Sequence, residues 1–406
     1  MKIKKNFYQF IIPFLLIFCI TGQKEIHSQS WDQTLNSSKG QIVYWNAWGG
    51  DERTNSYIKW AGEQVKSRFG ITVRHVKLTD TAQAVTRVIA EKAAGKHTGG
   101  SIDLIWINGE NFATMKRNKL LYGPWTSNAP NYQLVDTINK KTTTIDFSVP
   151  VEGLEAPWGM AQLVFMYDSK SVSDPPKTVK ELLEWSTKNK GRFTYPQPPN
   201  FLGTTFLKQV LIELIDDTSL LQKKVNPKTF VKVTTPLWDY LDIIHPKLWR
   251  SGKIFPQNGP AQHPLMDDGE IDISLSFEPS EASSLIAKGT LPNTIRTFVL
   301  KGGTVGNTSF LAIPFNSKSR QGAMVLANFL LSPEAQARKQ DPEYWGNTTV
   351  LDLNKLSPHE VSWFTNIDYG VATLRPEELG NTLLEPHASW VSALEKGWLQ
   401  RYSAGK

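Results

Sequence analysis

From residue 41 onward the chain alternates two hydrophobic textures. Short, nearly unbroken apolar runs predict buried strands over residues 41–45, 71–78, 101–107, 161–167, 271–277 and 310–314, with a shorter one over 193–195. Between them, apolar residues recur every three or four positions and predict helices. One covers 55–69, with Ile58, Ala61, Val65 and Phe69 near one face and Gly70 after it. Another covers 81–94, with Ala84, Val85, Val88 and Ile89 inward. Thr178-Val179-Lys180-Glu181 has the form of a capping box, and Ser332-Pro333-Glu334 places a cap and then proline at a helix start. Thr204 opens a helix, a further one spans 236–244, and the last runs past Trp390, Leu394 and Trp398. This alternation describes an α/β protein.

Two passages break the pattern. Residues 149–159 are extended and punctuated by Pro150 and Pro157, and read as a crossing between two lobes. Residues 269–277 read as a second crossing. Lobes joined more than once are discontinuous in sequence: 31–155 plus 278–332 for the first, 156–277 plus 333–406 for the second, with a cleft between. The first strand ends unusually, in Asn46-Ala47-Trp48-Gly49-Gly50. Paired glycines beside a tryptophan lose backbone entropy on folding and need a geometric reason. Either they make a tight turn, or they keep the rim bare so that a solute can touch main-chain amides.

The N-terminus changes the view of composition. Met1-Lys2-Ile3-Lys4-Lys5 is basic, Phe7 to Ile20 is almost uninterruptedly apolar, and polar residues follow to Ser30. This order describes a secretory signal over residues 1–30, cleaved within 22–30, with an apolar run too short to span a bilayer comfortably. Cys19 is the only cysteine. Lipoprotein signals normally place a small residue before the cysteine, and Phe18 stands there, so lipid anchoring at Cys19 is not expected. The mature chain is expected in the periplasm without disulfides, held together by its core alone. The formal charge of +7 falls to +4 once residues 1–30, with four lysines and one glutamate, are set aside. No Lys/Arg stripe remains, which argues against nucleic acid as a partner. No cofactor is expected, and no Cys/His/carboxylate cluster has metal-ligand spacing.

Longer motifs then carry a likeness. They are Trp45-Asn46-Ala47-Trp48-Gly49-Gly50, Asp103-Leu104-Ile105-Trp106-Ile107-Asn108-Gly109-Glu110-Asn111-Phe112, Asp146-Phe147-Ser148-Val149-Pro150 and Pro157-Trp158-Gly159. Leu237-Trp238-Asp239-Tyr240-Leu241-Asp242, Asn328-Phe329-Leu330-Leu331-Ser332-Pro333 and Glu385-Pro386-His387-Ala388 follow in order. With these motifs the chain resembles the bacterial extracellular solute-binding proteins that serve ABC importers, in particular the YnjB-type subgroup. The resemblance implies a type II periplasmic-binding-protein fold whose two lobes close on a ligand by hinge bending. It also implies export, a membrane permease as partner, and no bond chemistry. It supplies no substrate.

In open α/β sheets, ligands bind beyond the carboxyl ends of strands. Four loops fit: Asn46 to Gly50 with Trp48, Gly49 and Gly50; Asn108 to Asn111 with Asn108 and Glu110; Gly203-Thr204-Thr205 at a helix start; and Glu278-Pro279-Ser280. Trp48 and Trp158 could supply flat walls for a ring or a cation. Each has a plainer reading as a cap, a turn or core packing. Asp51, Glu110 and Glu278 favour a cationic solute, while helix starts near Gly50 and Gly203 favour an anionic group. A zwitterion satisfies both. The reading taken is a monomeric receptor for a small organic solute, cationic or aromatic. The alternative is a secreted carboxylate-dependent hydrolase such as a glycosidase, with Glu110 and Glu278 facing each other across the cleft.

Overall fold

The strand Ile42–Trp48 lies between two parallel neighbours, Thr72–Leu78 and Leu104–Ile107, so both its edges are paired, and Val43, Trp45, Asn46 and Ala47 are buried. That is why its sequence shows no clean alternation of apolar and polar residues. The computed structural model describes residues 30–403. The expected export signal, Cys19 included, lies outside the described residues apart from Ser30, which caps the helix Trp31–Ser38. The described residues form a six-stranded sheet in the order Thr382–Leu383, Thr304–Ala312, Leu104–Ile107, Ile42–Trp48, Thr72–Leu78, with Glu155–Gln162 also pairing antiparallel to Thr304–Ala312. Trp45, Leu104 and Leu311 pack on one face under the helices Glu52–Phe69, Arg320–Leu330 and Pro333–Gln340. Ile105, Ile107 and Phe310 pack on the other face under Ala82–Ala93 and Gly109–Arg117.

A second body is built on three antiparallel strands, Ile273–Ser276, Val164–Asp168 and Ile295–Phe298. The helices Val179–Lys188, Phe201–Leu214, Pro227–Ile244 and Ser389–Tyr402 cover it. Its core includes Phe165, Phe193, Phe206, Leu211, Leu237, Ile273 and Trp398.

The chain passes between the bodies at Leu163, where Glu155–Gln162 leaves the large sheet and Val164–Asp168 enters the small one. It returns between Ile295–Phe298 and Thr304–Ala312. Two buried amides hold these passages. Gln162 Nε2 donates to Thr304 Oγ1 at 2.9 Å and to the Leu379 carbonyl at 2.9 Å, and its oxygen accepts from Thr382 Oγ1 at 3.0 Å. Gln209, on the second body's helix, donates to the Gly303 carbonyl at 3.2 Å and accepts from Val305 N at 2.8 Å.

The structure differs from the sequence reading in several places. Residues 149–159 are not the crossing: from Glu155 they are a strand inside the large sheet. The cores also divide the chain elsewhere than at 278 and 333. Ala282, Leu291, Ile295 and Phe298 pack in the second body, and Ala335, Trp345, Val350 and Phe364 pack in the first. Helix Pro333–Gln340 follows Arg320–Leu330 after two residues, too short a link to leave the first core. Pro236 lies inside Pro227–Ile244, whose start is set by the Asn226 cap and Pro227. At Thr178 the hydroxyl accepts from Glu181 N as expected, but the glutamate returns to Lys177 N.

Gln162→Leu should leave the Leu379 carbonyl and Thr304 hydroxyl short of a partner. Urea unfolding should show a loss of about 1–3 kcal/mol, the usual cost of stranding buried polar groups.

Candidate solute cleft

Trp48 ends its strand with 40% of its surface exposed and its ring edge-on to Trp106, centroids 6.4 Å apart. The two glycines after it answer to the chain itself. A Cβ on Gly50 would lie 2.4 Å from the Trp48 ring, and one on Gly49 would lie 2.6 Å from Lys77 Cβ. Their bare backbone makes room for Trp48 and Lys77, so the close approach needs no solute. Gly49 N donates to Leu78 O at 3.0 Å, and its carbonyl accepts from Asn55 Nδ2 at 3.0 Å. Asn46 is buried, and its Oδ1 has no partner among the described residues.

Asp51 Oδ2 caps the next helix by accepting from Thr54 N at 2.8 Å. Two residues on, Arg53 is mostly buried, and its Nε and Nη1 find no hydrogen-bond partner. Facing it is Glu278, beyond the end of Ile273–Ser276. Glu278 Oε2 accepts from Asn347 Nδ2 at 3.3 Å, while Oε1 is unpartnered. Burial pushes the Glu278 carboxyl up to about 7 from 4.5, against the pull of Arg53, Asn347 and Lys339 and with a push from Glu281. A Cβ on Gly159 would meet Asn347 Oδ1 at 2.0 Å, so that glycine makes space for the amide.

The second body contributes Phe201, 44% exposed, and Phe277, in an edge-on pair 4.9 Å apart. Below them Lys208 Nζ lies 2.6 Å from Glu385 Oε2, 5.1 Å from the Phe147 centroid and 5.3 Å from that of Phe201. Asn307 Nδ2 donates to the other Glu385 oxygen at 3.1 Å. On the first body, burial raises Asp146 to about 8 despite the hydrogen bond from Gly109 N, with Glu385 adding to the rise. Glu155 is pushed well above the usual carboxylate range by burial and by Asp146.

Several expected contacts are placed elsewhere. Trp158 is core, fully buried among Trp45, Trp106 and Trp345. Ser280 is buried and donates to the Trp345 carbonyl at 3.1 Å. Gly203, Thr204 and Thr205 do not open their helix: Asn200 caps it, accepting from Leu202 N at 3.0 Å. Thr204 donates to Glu395 and Thr205 to the Phe201 carbonyl, and Gly203 packs against the Pro196 carbonyl. Asn108 stands at the N-cap of Gly109–Arg117 without a side-chain capping bond. Glu110 is exposed, accepts from Thr114 Oγ1, and lines a cavity of about 360 Å³ together with Lys224, His387 and Ser392. The structure thus leaves Trp48 exposed at the end of its strand and groups Glu278 with Arg53 and Asn347. The latter two were missed, although an arginine in the first turn of a helix opposes the macrodipole and could have signalled a special role.

A family model described as "Bacterial extracellular solute-binding protein" matches residues 60–355. The chain belongs to that family. It is 44% identical over 376 residues to the protein YnjB of Escherichia coli (strain K12), spanning 93% of this chain and 95% of the relative. An ABC transporter substrate-binding protein from Bradyrhizobium japonicum superposes with a TM-score of 0.62 at 14% identity, covering 89% of this chain and 99% of that one. The spermidine/putrescine ABC transporter substrate-binding protein PotD from Streptococcus pneumoniae superposes at 0.59 with 16% identity, covering 88% and 99%. The solute-binding protein has the type II periplasmic-binding-protein fold, two discontinuous lobes about a cleft. The hydrolase reading is not supported, since the family and its relatives are transport proteins.

The raised Glu278 pKa sets a pH dependence. Between 4.5 and about 7 the folded solute-binding protein holds this proton and the unfolded chain does not, so the contribution to stability is full below 4.5 and is lost as pH rises through 7. Urea midpoints of Glu278→Gln should therefore gain on wild type across that window, and a constant difference would contradict the assignment.

Proposed function

We propose that this solute-binding protein captures a small organic solute in the cleft, closes over it by hinge motion, and presents the closed form to the permease of an ABC importer. The observation that carries this reading is the placement of unsatisfied and exposed groups. Trp48 and Arg53 stand on one lobe and Glu278, Phe201 and Phe277 on the other, while the lobes are linked by passages pinned at Gln162 and Gln209. Aromatic faces on both sides suit a flat or cationic portion of the solute. Capture without conversion needs complementarity to the ground state only, so the protein acts as a receptor and not as an enzyme.

The protein works as a monomer in the periplasm, brought there by the signal over residues 1–30. Among the described residues no helix is long and apolar enough to cross a membrane. This is consistent with a receptor that diffuses to its permease.

Native mass spectrometry of the exported protein should find one small molecule per chain, and scattering should show a more compact particle with ligand than without. Trp48→Ala should weaken binding of that molecule by about 3- to 10-fold in calorimetry, the range expected for one aromatic contact. A protein that carries no ligand and never contracts would overturn the receptor reading.

A further inference from the structure

Arg53 and Glu278 present opposite charges from opposite lobes, and neither is satisfied. The Arg53 side chain is only 13% exposed, yet its Nε and Nη1 have no hydrogen-bond partner among the described residues. Asp51 Oδ1 stands 3.8 Å from Nε, beyond hydrogen-bond reach. The other two arginines with an orphaned buried Nε are held over rings, Arg338 over Trp60 and Tyr344 and Arg320 over Tyr122. Among the described residues no ring covers Arg53 in this way. Across the gap, Glu278 Oε1 is likewise shielded and unpartnered. The two groups feel each other's charge but make no ion pair.

We propose that the solute is a compact zwitterion, its anionic group taken by the Arg53 guanidinium and its cationic group by the Glu278 carboxylate. This rests on the receptor reading above and deepens it. A guanidinium whose nitrogens make no hydrogen bond among the described residues offers a planar fork, Nη2 with either Nε or Nη1, which suits a carboxylate or phosphate bound through paired hydrogen bonds. Glu278 supplies an acceptor for an ammonium, and Asn347 holds its second oxygen in place. Asp51 and Glu281 stand nearby on the acidic side and Lys339 on the basic side, with His263 Nε2 3.4 Å from Glu281. A pure polycation would have to approach Arg53 with nothing to offer it, and a pure anion would meet Glu278. A solute carrying both signs satisfies both. Such a molecule stands in for the direct Arg53–Glu278 pair and so ties the lobes together as they close.

Calorimetry with tyrosine, 4-aminobutyrate, phosphoethanolamine, spermidine and fructose 6-phosphate tests this, alongside identification of any copurified molecule. At least one zwitterion should bind, phosphoethanolamine and the amino acids distinguishing phosphate from carboxylate as the anionic group. Arg53→Gln and Glu278→Gln should each weaken it by tenfold or more. Blocking the ligand's anionic group as a methyl ester should weaken binding to wild type but cost little further in Arg53→Gln, and N-acetylation should behave likewise against Glu278→Gln. Thermal midpoints check folding; should Arg53→Gln unfold, Arg53→Lys, which keeps the charge and loses the fork, should show an intermediate loss. Binding of spermidine or fructose 6-phosphate to the exclusion of zwitterions, a copurified solute bearing one sign of charge, or unchanged affinity in both variants overturns the inference and leaves the receptor reading intact. Absence of any ligand, copurified or added, together with absence of closure, overturns both.

Discussion

The two lobes can move as separate bodies only if the strands between them are held at fixed points, and two glutamine amides do this. Gln162 and Gln209 are both buried; Gln162 ties the outgoing strand to Thr304, Leu379 and Thr382, and Gln209 grips Gly303 and Val305 on the return. A neutral amide is well suited to the place. It offers both hydrogen-bond polarities without the desolvation cost of a charge, and the passages it joins carry backbone groups that would otherwise lack partners where one sheet ends and the next begins. The packing of the large sheet, the return of Thr304–Ala312 into it, and the positions of Trp48 and Glu278 all depend on that junction staying in register.

The sheets and most helices were legible because burial on one or both faces leaves a periodic trace. The strands Ile42–Trp48, Thr72–Leu78 and Leu104–Ile107 and the helix Glu52–Phe69 follow directly from it. The division into lobes was less so. A short link such as Leu331-Ser332 between two helices looks the same in sequence whether the chain stays in a core or leaves it, and only the packing of Ala335 and Trp345 decides. Pro236 misled for a similar reason: proline is a good first residue of a helix, but Asn226 and Pro227 already fill that role nine residues earlier.

Of the groups in the proposed site, the aromatic and acidic ones could be picked out in the sequence and the basic one could not. Trp48 closes its strand and Glu278 lies just beyond the end of another, where the fold class directs attention. Trp158 and Ser280 lie in equally suggestive stretches but are turned inward by contacts with Trp345 that no local pattern reveals. Lys208 sits in a run of apolar helix residues, and its pairing with Glu385, far along the chain, appears only in three dimensions.

That pairing has a consequence for the shape of the cleft. Lys208 is buried with its ammonium framed by Phe147, Phe201 and Glu385. Beneath it, the space bounded by Asp146, Phe147, Gln222, Asn307 and Glu385 is only about 10 Å³, scarcely room for one water. That space is therefore closed to a solute, and on the reading proposed above the guest sits away from Lys208, between Arg53 and Glu278.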